Sequence, residues 1–367
     1  MTTAEPMGKG REVWRPRIPL MAGAAVVLVA PFVLSDFNVF LVTEIVIFAL
    51  FAMSYNLLLG YGGLVSFGHA ALFGIGGYTV ALILAKTAVP FAIAFVSAPV
   101  MGAAAALVMG FLAVRLAAIY FALFTLAVGQ VAWSVANKWI SFTNGDNGLG
   151  GFASSIPDPI SSSGSISLYY FTVAIIAVAL LVLYLVVNSP FGYTLQAIRE
   201  NPNRTEFVGV YVRGYQLLAF VISGFFSGLA GGLFAVHSHF VHPDMLFWLL
   251  SAQVLLMALL GGAHLFWGPA LGAGLVVYLQ SLVQRVIPDF TQRILGEHLT
   301  LEGLTLGAAA VAVVIFFPLG VGGVTQKVVG LATSRLGGMA KASTAGPASG
   351  PPAFHGPEAA EEPPDRG

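Results

Sequence analysis

The sequence contains no cysteine and few charged residues. Without cysteine, the chain has no disulfide, no thiolate metal site and no cysteine nucleophile. Charged side chains make up 9% of its 367 residues, whereas a soluble domain carries about 25%. The 16 Lys and Arg residues balance the 16 Asp and Glu residues, so there is no basic excess to recruit nucleic acid. Too few charges remain to solvate the surface of a chain of this size.

Apolar residues stand in place of the missing charges. Hydrophobic residues make up 57% of the chain, and the mean hydropathy is +0.88. A membrane-spanning helix needs about 20 mostly apolar residues, because the hydrocarbon core is ~30 Å thick. The stretches that approach this length are Ile18–Leu34, Phe37–Leu59, Leu64–Ala85, Pro90–Val114, Leu116–Asn137, Leu168–Asn188, Tyr215–Val236, Leu246–Leu260, Leu265–Val286 and Leu301–Phe317. They are continuous and do not alternate as barrel strands do. We therefore predict an all-α, polytopic membrane helix bundle with about ten transmembrane helices.

The basic residues predict the orientation of this bundle. With ten spans and a cytoplasmic N-terminus, twelve of the 16 Lys and Arg residues lie on the cytoplasmic side. The other four, on the outer side, are Lys86, Lys138, Arg285 and Arg293. The opposite orientation would reverse this ratio, against the positive-inside rule. We predict an N-in, C-in topology. The first apolar run is interpreted as an anchor, since more spans follow it and it lacks a small-residue cleavage site.

Composition divides the chain into segments. Residues 1–17 are polar and basic, which predicts a short cytoplasmic lead before a transmembrane domain over 18–323. Residues 337–367 are rich in Pro, Gly, Ala and acids and are expected to form a disordered cytoplasmic tail. Two long connections are predicted, 138–167 on the outer side and 189–214 on the inner side. The outer one contains TNGDNGLGG, which lacks the terminal Glu of an EF-hand loop and is interpreted as a structured turn.

The inner connection, SPFGYTLQAIRENPNRTEFVGVYVRG, concentrates charge that is scarce elsewhere. Leu195, Ile198 and Arg199 fit one helical pattern, which Asn201-Pro202 interrupts before a second short helix can form. We predict two short amphipathic helices along the inner membrane face. On composition alone, the arginines are equally explained by setting the topology and binding lipid headgroups.

Separated blocks of the sequence resemble one known family. In chain order they are NLLLGYGGLVSFGHAALFGIGGYTVAL, VRLAAIYFALFTLAVGQ with TNGDNGLGG, QAIRENPNRTEFVGVYV, LLAFVISGFFSGLAGGLFA, ALLGGAHLFWGPALGA and FFPLGVGG. Over roughly residues 37–323 the chain resembles the branched-chain amino acid permease family, the membrane subunits of bacterial ABC importers. One departure is Leu319, where relatives often carry a basic residue after the proline.

The resemblance implies a permease subunit of an importer in the bacterial inner membrane. Its expected partners are a second related permease, two cytoplasmic ABC ATPase subunits and a periplasmic solute-binding protein, besides the lipid bilayer. The expected solutes are branched-chain amino acids or related small polar molecules such as urea and amides. ATP is expected on the ATPase subunits, so no cofactor is expected on this chain. In the family the inner loop docks into the ATPase, and the matching coupling positions are Ala197, Arg199, Glu200, Asn201, Glu206 and Gly209.

Polar side chains on or near the predicted spans are candidates for a solute pathway. Intramembrane charges are costly and usually face a cavity or a partner. The candidates are Glu44, Asn56, Ser66, His69, Thr125 and Gln130. Each of them is also explained as an interhelical hydrogen bond. The glycines between residues 60 and 77 fit close helix packing, and the alternative is that Gly60–Gly68 interrupts a helix and exposes backbone to a polar route.

Motifs for bond chemistry are absent from the sequence. There is no GxxxxGK[ST] phosphate loop and no evident nucleophile–base pair. His237, His239 and His242 superficially resemble metal ligands, but they end a predicted helix and are interpreted as interfacial histidines. We therefore predict no enzymatic activity, no catalytic residue and no metal. The alternative function is an ion-coupled secondary transporter acting alone, which would favour several carboxylates near the membrane midplane.

Overall fold

The computed structural model describes residues 30–294, apart from 117, 159 and 161–165, and describes the side chains of these residues except 118 and 283–294. The predicted lead and tail lie outside the described residues. So do residues 18–29 of the first predicted span and the whole of the last. The described part of the chain is mostly helical, as the all-α prediction requires, with a single two-residue strand pair.

Most of the described helices follow one another through short connections, and the longest connection is residues 144–165. Helix α1 continues directly into a π-helix, Leu57–Gly62, hereafter the π turn. The helices are α1 Asp36–Asn56, α2 His69–Lys86, α3 Phe91–Ala113, α4 Ala118–Lys138, α5 Ile140–Thr143, α6 Ile166–Val187, α7 Pro190–Glu200, α8 Pro202–Phe207, α9 Val212–Ser238, α10 Trp248–Gly261 and α11 Gly268–Ile294. Single turns of 3₁₀-helix lie at Gly145–Asn147, Ala153–Ser155 and Pro243–Leu246.

Six of the described helices are long and apolar enough to cross a membrane. They are Asp36–Gly62, His69–Lys86, Phe91–Ala113, Ile119–Lys138, Ile166–Val187 and Val212–Ser238, and each matches a predicted stretch. The total of ten and the N-in, C-in orientation stay predictions. The stretch predicted to start at Leu64 becomes helical only at His69, so the break lies ahead of this helix rather than inside it.

Two predicted spans differ from the helices that form there. Helix α10 has only 14 residues, fewer than the roughly 20 that cross a bilayer. The turn before it, Pro243–Leu246, already lies within the bundle, where Leu246 packs against Gly74 near the middle of α2. The chain therefore enters the bundle as a single 3₁₀ turn and begins α10 inside the bundle. Helix α11 begins at Gly268, three residues after the predicted start at Leu265, and its apolar segment with described side chains is Gly268–Leu282.

Helix α9 packs closely against α2 and α3 through glycine. Gly228 meets the backbone of Gly76 on α2 and that of Gly102 on α3, and Gly231 lies against the carbonyl of Phe73. A Cβ atom on any of these glycines would collide with backbone atoms of the neighbouring helix. In lipid, such small-residue contacts allow the dispersion contacts that hold helices together. The packing interpretation therefore holds for Gly76.

One end of the bundle, the strand-pair end, is closed by the segments after α4 and α9. Leu149 pairs with Val241 and Gly150 with Phe240 in an antiparallel arrangement. Lys86, at the end of α2, donates to the carbonyls of Ser141 and Phe142 at 2.9 and 2.7 Å. The TNGDNGLGG segment is thus a structured turn, as its composition indicates.

At the opposite end, the coupling-loop end, the two predicted short helices are confirmed as α7 and α8. Each begins with proline at its first position, where the missing N–H costs nothing. Asn201 separates them and accepts a hydrogen bond from the Arg204 backbone N–H at 2.9 Å, which caps α8. Thr205 donates to the carbonyls of Ala197 and Asn201 at 3.1 and 2.9 Å. The two helices therefore form one connected unit.

Candidate functional site

The connection between α1 and α2 is an interrupted helix in the middle of the fold. The carbonyl of Leu58 accepts from the N–H groups of both Gly63 and Leu64, which ends the π turn. Gly63 has φ +68°, a left-handed value that glycine adopts without strain. The chain then runs without helix through Ser66 until α2 starts at His69. Inserted π turns of this kind occur frequently at functional sites.

Four buried hydroxyl and imidazole groups form a hydrogen-bonded chain beside this break. Ser223 donates to the Ser54 carbonyl at 2.5 Å, so its oxygen must accept the 2.8 Å bond from Nε2–H of His69. The Ser54 hydroxyl donates to the carbonyl of Phe51 at 2.7 Å. Ser227 therefore donates to the Ser54 hydroxyl oxygen at 2.9 Å. The donor in each of these hydrogen bonds follows from the neighbouring bonds. Together the bonds link α1 and α2 to the middle of α9.

His69 is fully buried at the first turn of α2 and is surrounded by aromatic rings. The ring centroids of Tyr55, Phe220 and Phe51 lie 5.1, 6.0 and 6.1 Å from that of the imidazole. Because Nε2 carries the proton, Nδ1 is the bare acceptor, and it has no hydrogen-bond partner among the described residues. This nitrogen is available to a donor that enters the bundle.

Other buried polar atoms near the break also lack partners within the described part of the chain. They are the Tyr55 hydroxyl, Oδ1 of Asn56 and the Ser66 hydroxyl. A buried polar group without a hydrogen bond costs roughly 1–3 kcal/mol, so such groups are few in folded proteins. We name Tyr55, Asn56, Ser66 and His69 the polar cluster. Its bare acceptors and hydroxyls are chemically suited to water or to a polar solute.

The structure separates the predicted pathway residues into two sets. Asn56, Ser66 and His69 are members of the polar cluster, in which Tyr55 contacts His69 and Asn56 directly follows Tyr55 in the chain. Thr125 lies beside them but is satisfied, since it accepts from the Phe67 N–H at 3.2 Å and donates to the carbonyl of Ala122 at 2.9 Å. Its position is that of a structural contact between α4 and the entry to α2.

Two of the predicted pathway residues do not join the cluster. Gln130 lies more than one turn beyond Thr125 on α4, and its buried amide nitrogen has no partner within the described residues. Glu44 lies three turns from Asn56 on α1 and is half-buried. The position of Glu44 relative to the cluster therefore gives no support to a pathway role for this residue.

Sequence reasoning missed several members of this region. Ser54, Ser223 and Ser227 are fully buried and carry the hydrogen-bonded chain. A fourth serine, Ser251 of α10, accepts from the Ala70 N–H at 2.8 Å and so satisfies a free donor at the start of α2. For two of these serines, the sequence contains a pattern that could have identified them. Ser223 and Ser227 are four residues apart in an otherwise apolar helix and therefore share one face.

The predicted coupling residues point in two directions. Ala197, Glu200, Asn201, Glu206 and Gly209 are all exposed on α7, α8 and the turn after them. Arg199 instead reaches into the bundle, where its guanidinium donates to the carbonyl of Gly60 on the π turn. The same guanidinium lies 3.4 Å from Nδ1 of His264. The partners of Arg199 among the described residues therefore lie on the bundle side, and its coupling role stays a prediction.

A cavity of about 420 Å³ opens at the coupling-loop end. Its wall includes Gly62, Gly63 and Leu64 from the π turn and the residues that follow it. Three arginines, Arg115, Arg199 and Arg213, line it together with Glu206. The cavity therefore touches both the interrupted helix and the unit formed by α7 and α8.

The histidines after α9 do not assemble a metal centre in the described part of the chain, where no group of three potential ligands is close enough. His237 is buried against Phe40, with ring centroids 4.1 Å apart. His242 lies at the surface, with Nδ1 3.1 Å from the Asp244 carboxylate and Nε2 2.8 Å from the Asp146 carbonyl. These contacts are those of interfacial histidines that hold the strand-pair end.

Six membrane-length apolar helices around a buried polar cluster define a multi-pass membrane protein. Residues 38–319 match the family described as branched-chain amino acid transport system / permease component. The match covers most of the chain, which therefore belongs to this family of transporter permeases. It is a family of transporters and not of enzymes.

Individual relatives support the same assignment. The high-affinity branched-chain amino acid transport system permease protein LivM of Escherichia coli K12 is 28% identical over 298 residues, which cover 74% of this chain and 69% of the relative. LivM of Salmonella typhimurium is 28% identical over 309 residues, 77% of this chain and 72% of the relative. The guanosine ABC transporter permease protein NupQ of Bacillus subtilis is 32% identical over 121 residues, 31% of this chain and 35% of the relative. No solved structure gives a significant match.

Proposed function

We propose that this chain is the transmembrane permease subunit of an ABC importer in the bacterial inner membrane. It pairs with a second related permease and with two cytoplasmic ATPases that bind ATP, while a periplasmic binding protein supplies the solute. The proposal includes ten transmembrane helices with both termini in the cytoplasm. The coupling-loop end then faces the cytoplasm and the strand-pair end faces the periplasm.

The observation that carries the proposal is the exposed apolar surface of the coupling-loop end. Phe207, Val208 and Tyr211 are 91%, 77% and 71% exposed, and they lie on and just after α8, next to the charged Glu206. An aromatic residue this exposed, within a charged loop, is typical of a residue that anchors a protein interface. A docking ATPase subunit would cover it.

The solute is proposed to be a branched-chain amino acid or a related small polar molecule. Two relatives carry branched-chain amino acid transport in their names, whereas a third is named for guanosine. Within the bundle, the polar cluster offers hydrogen-bond acceptors and hydroxyls without partners among the described residues. These are suited to the amino or amide N–H groups of such solutes.

An ion-coupled carrier acting alone is supported less well. Such a carrier would use several carboxylates near the membrane midplane. Within the six described spans, the only carboxylates are Glu44 and Asp36, and Asp36 is the first residue of α1. A solitary carrier also has no use for the exposed apolar residues of α8.

Affinity purification tests the proposal. The tagged subunit, extracted from native membranes in mild detergent, should co-purify with an ATPase and a second permease. Phe207→Asp should reduce ATPase recovery at least tenfold without lowering the amount of the subunit, because the side chain contributes no core packing. The control is Phe240→Asp, at an exposed phenylalanine of the strand-pair end, which should leave ATPase recovery unchanged. A subunit that purifies alone at every salt concentration would refute the importer assignment.

A further inference from the structure

Arg199 joins three separate segments of the chain. Its guanidinium donates to the carbonyl of Gly60 on the π turn, and it approaches Nδ1 of His264 in the turn between α10 and α11. The stem of the same side chain packs on Gly63, where an added Cβ would lie 2.7 Å from Cγ of Arg199. Arginine has no acceptor, so Nδ1 of His264 must accept in this contact.

The partner of Arg199 is a backbone group that the helix leaves unpaired. The last carbonyls of a helix have no N–H partner within it, and Gly60 is two residues from the end of the π turn. The negative end of the helix macrodipole also lies there and favours a cation. Gly60 itself has no room for a side chain, since a Cβ would meet the carbonyl of Ala263 and the amide oxygen of Asn56.

The segment held by Arg199 lies between the cavity and the polar cluster. On one side, Gly62, Gly63 and Leu64 form part of the wall of the 420 Å³ cavity. Two residues further on, Ser66 is fully buried in the polar cluster, and Asn56 precedes the π turn directly. A displacement of the π turn by a few ångströms would therefore change the access from the cavity to the cluster.

We propose that residues 57–65 are the gate between the polar cluster and the cytoplasmic cavity, and that Arg199 is the positioning residue through which α7 holds and moves this gate. The proposal rests on the proposed function, because the ATPases supply the movement of α7 and α8. Asn56 moves with the π turn, since its amide oxygen packs against Gly60.

The first test measures the coupling of ATP hydrolysis to uptake in the purified complex, reconstituted in liposomes. Arg199→Met should lower uptake at least tenfold while ATP hydrolysis stays within about twofold of wild type. Arg199→Lys, which retains one donor and the charge, should recover part of the uptake. The matched control is Arg115→Met, which removes a charge from the same cavity but leaves the contact with Gly60 intact, and it should stay coupled. Equal losses of hydrolysis and uptake in Arg199→Met, or no loss, would overturn the proposal.

The second test needs no partner, so it separates failure of the gate from failure of the importer assignment. The chain has no cysteine, and Ser66→Cys therefore places a single thiol in the cluster. In the purified subunit, a membrane-impermeant maleimide should label this thiol at least fivefold faster when Arg199→Met is added, and at an unchanged rate with Arg115→Met. Equal labelling rates in all three backgrounds would refute the gate, whether or not an ATPase co-purifies.

Discussion

Two neighbouring regions of the molecule are packed in opposite ways. The first is the contact of α9 with α2 and α3, and the second is the interrupted helix around the polar cluster. At the first, Gly76, Gly102 and Gly228 bring backbones into direct contact and leave no free volume for a Cβ atom. At the second, a π turn and a non-helical link replace regular helix, and Tyr55, Asn56, Ser66 and His69 keep polar atoms unpaired among the described residues.

The close-packed contact of α9 with α2 and α3 is a rigid scaffold, hereafter the scaffold. The interrupted helix and the polar cluster form a part that can change its interactions. A close-packed interface deforms little, because any displacement produces overlap. Unpaired polar atoms are unfavourable for stability, and their retention in the middle of a fold is expected only where they serve a function. The two regions share α9, since Ser223 and Ser227 face the cluster while Gly228 faces α2 and α3. The scaffold therefore fixes one side of the polar cluster.

The largest expected effect comes from adding a methyl group at the close-packed glycines of the scaffold. Gly76→Ala places a methyl group against the backbone of Gly228, which should destabilise the subunit by about 3 kcal/mol because overpacking displaces whole helices. The measurement is the yield of folded subunit in membranes and its thermal unfolding temperature in detergent.

Gly274→Ala is the matched control for this substitution. It makes the same chemical change inside a helix, with the same gain of about 1 kcal/mol in helix propensity, but its Cβ would lie 3.6 Å from Ile45, an ordinary contact. The yield and unfolding temperature of this variant should equal or exceed those of wild type. Equal stability of the two variants would show that the scaffold is not close-packed.

A smaller effect distinguishes the paired serines from the unpaired one. Ser223→Ala removes one donor and one acceptor, which leaves Nε2–H of His69 without its partner and the Ser54 carbonyl with only the Leu57 N–H, and it should cost about 1–3 kcal/mol. Ser66→Ala removes a hydroxyl that has no partner within the described residues, so it should leave stability unchanged or raised. The same variant should lower uptake severalfold, because the hydroxyl is proposed to face the solute. Thermal unfolding and uptake assays check both expectations, and a marked loss of stability in Ser66→Ala would remove this residue from the cluster.

Hydropathy and local sequence were sufficient to predict much of this fold. Six spans follow from runs of apolar residues, and the division between α7 and α8 follows from Asn201-Pro202, since proline cannot continue a helix. The exposed positions of Ala197, Glu200 and Glu206 follow from the helical period. Each of these features depends on residues that are close together in the chain.

Features that depend on tertiary contacts were beyond the sequence. Hydropathy counted Leu246 into a span, although this residue ends a separate 3₁₀ turn, Pro243–Leu246, that precedes α10. The inward direction of Arg199 depends on an unpaired carbonyl at Gly60, which is distant in sequence and exists only because α1 ends in a π turn. The polar cluster was predicted in part, through Asn56, Ser66 and His69, but the serines that complete its surroundings lie on three different helices.

The central claim is that the coupling-loop end moves the gate beside the polar cluster when the ATPases bind nucleotide. The most direct measurement is the labelling rate of Ser66→Cys in the purified complex, with and without a non-hydrolysable ATP analogue. A nucleotide-dependent change of at least fivefold, which disappears with Arg199→Met, is the predicted result. An identical labelling rate in the two nucleotide states, in a complex that hydrolyses ATP, would contradict the claim.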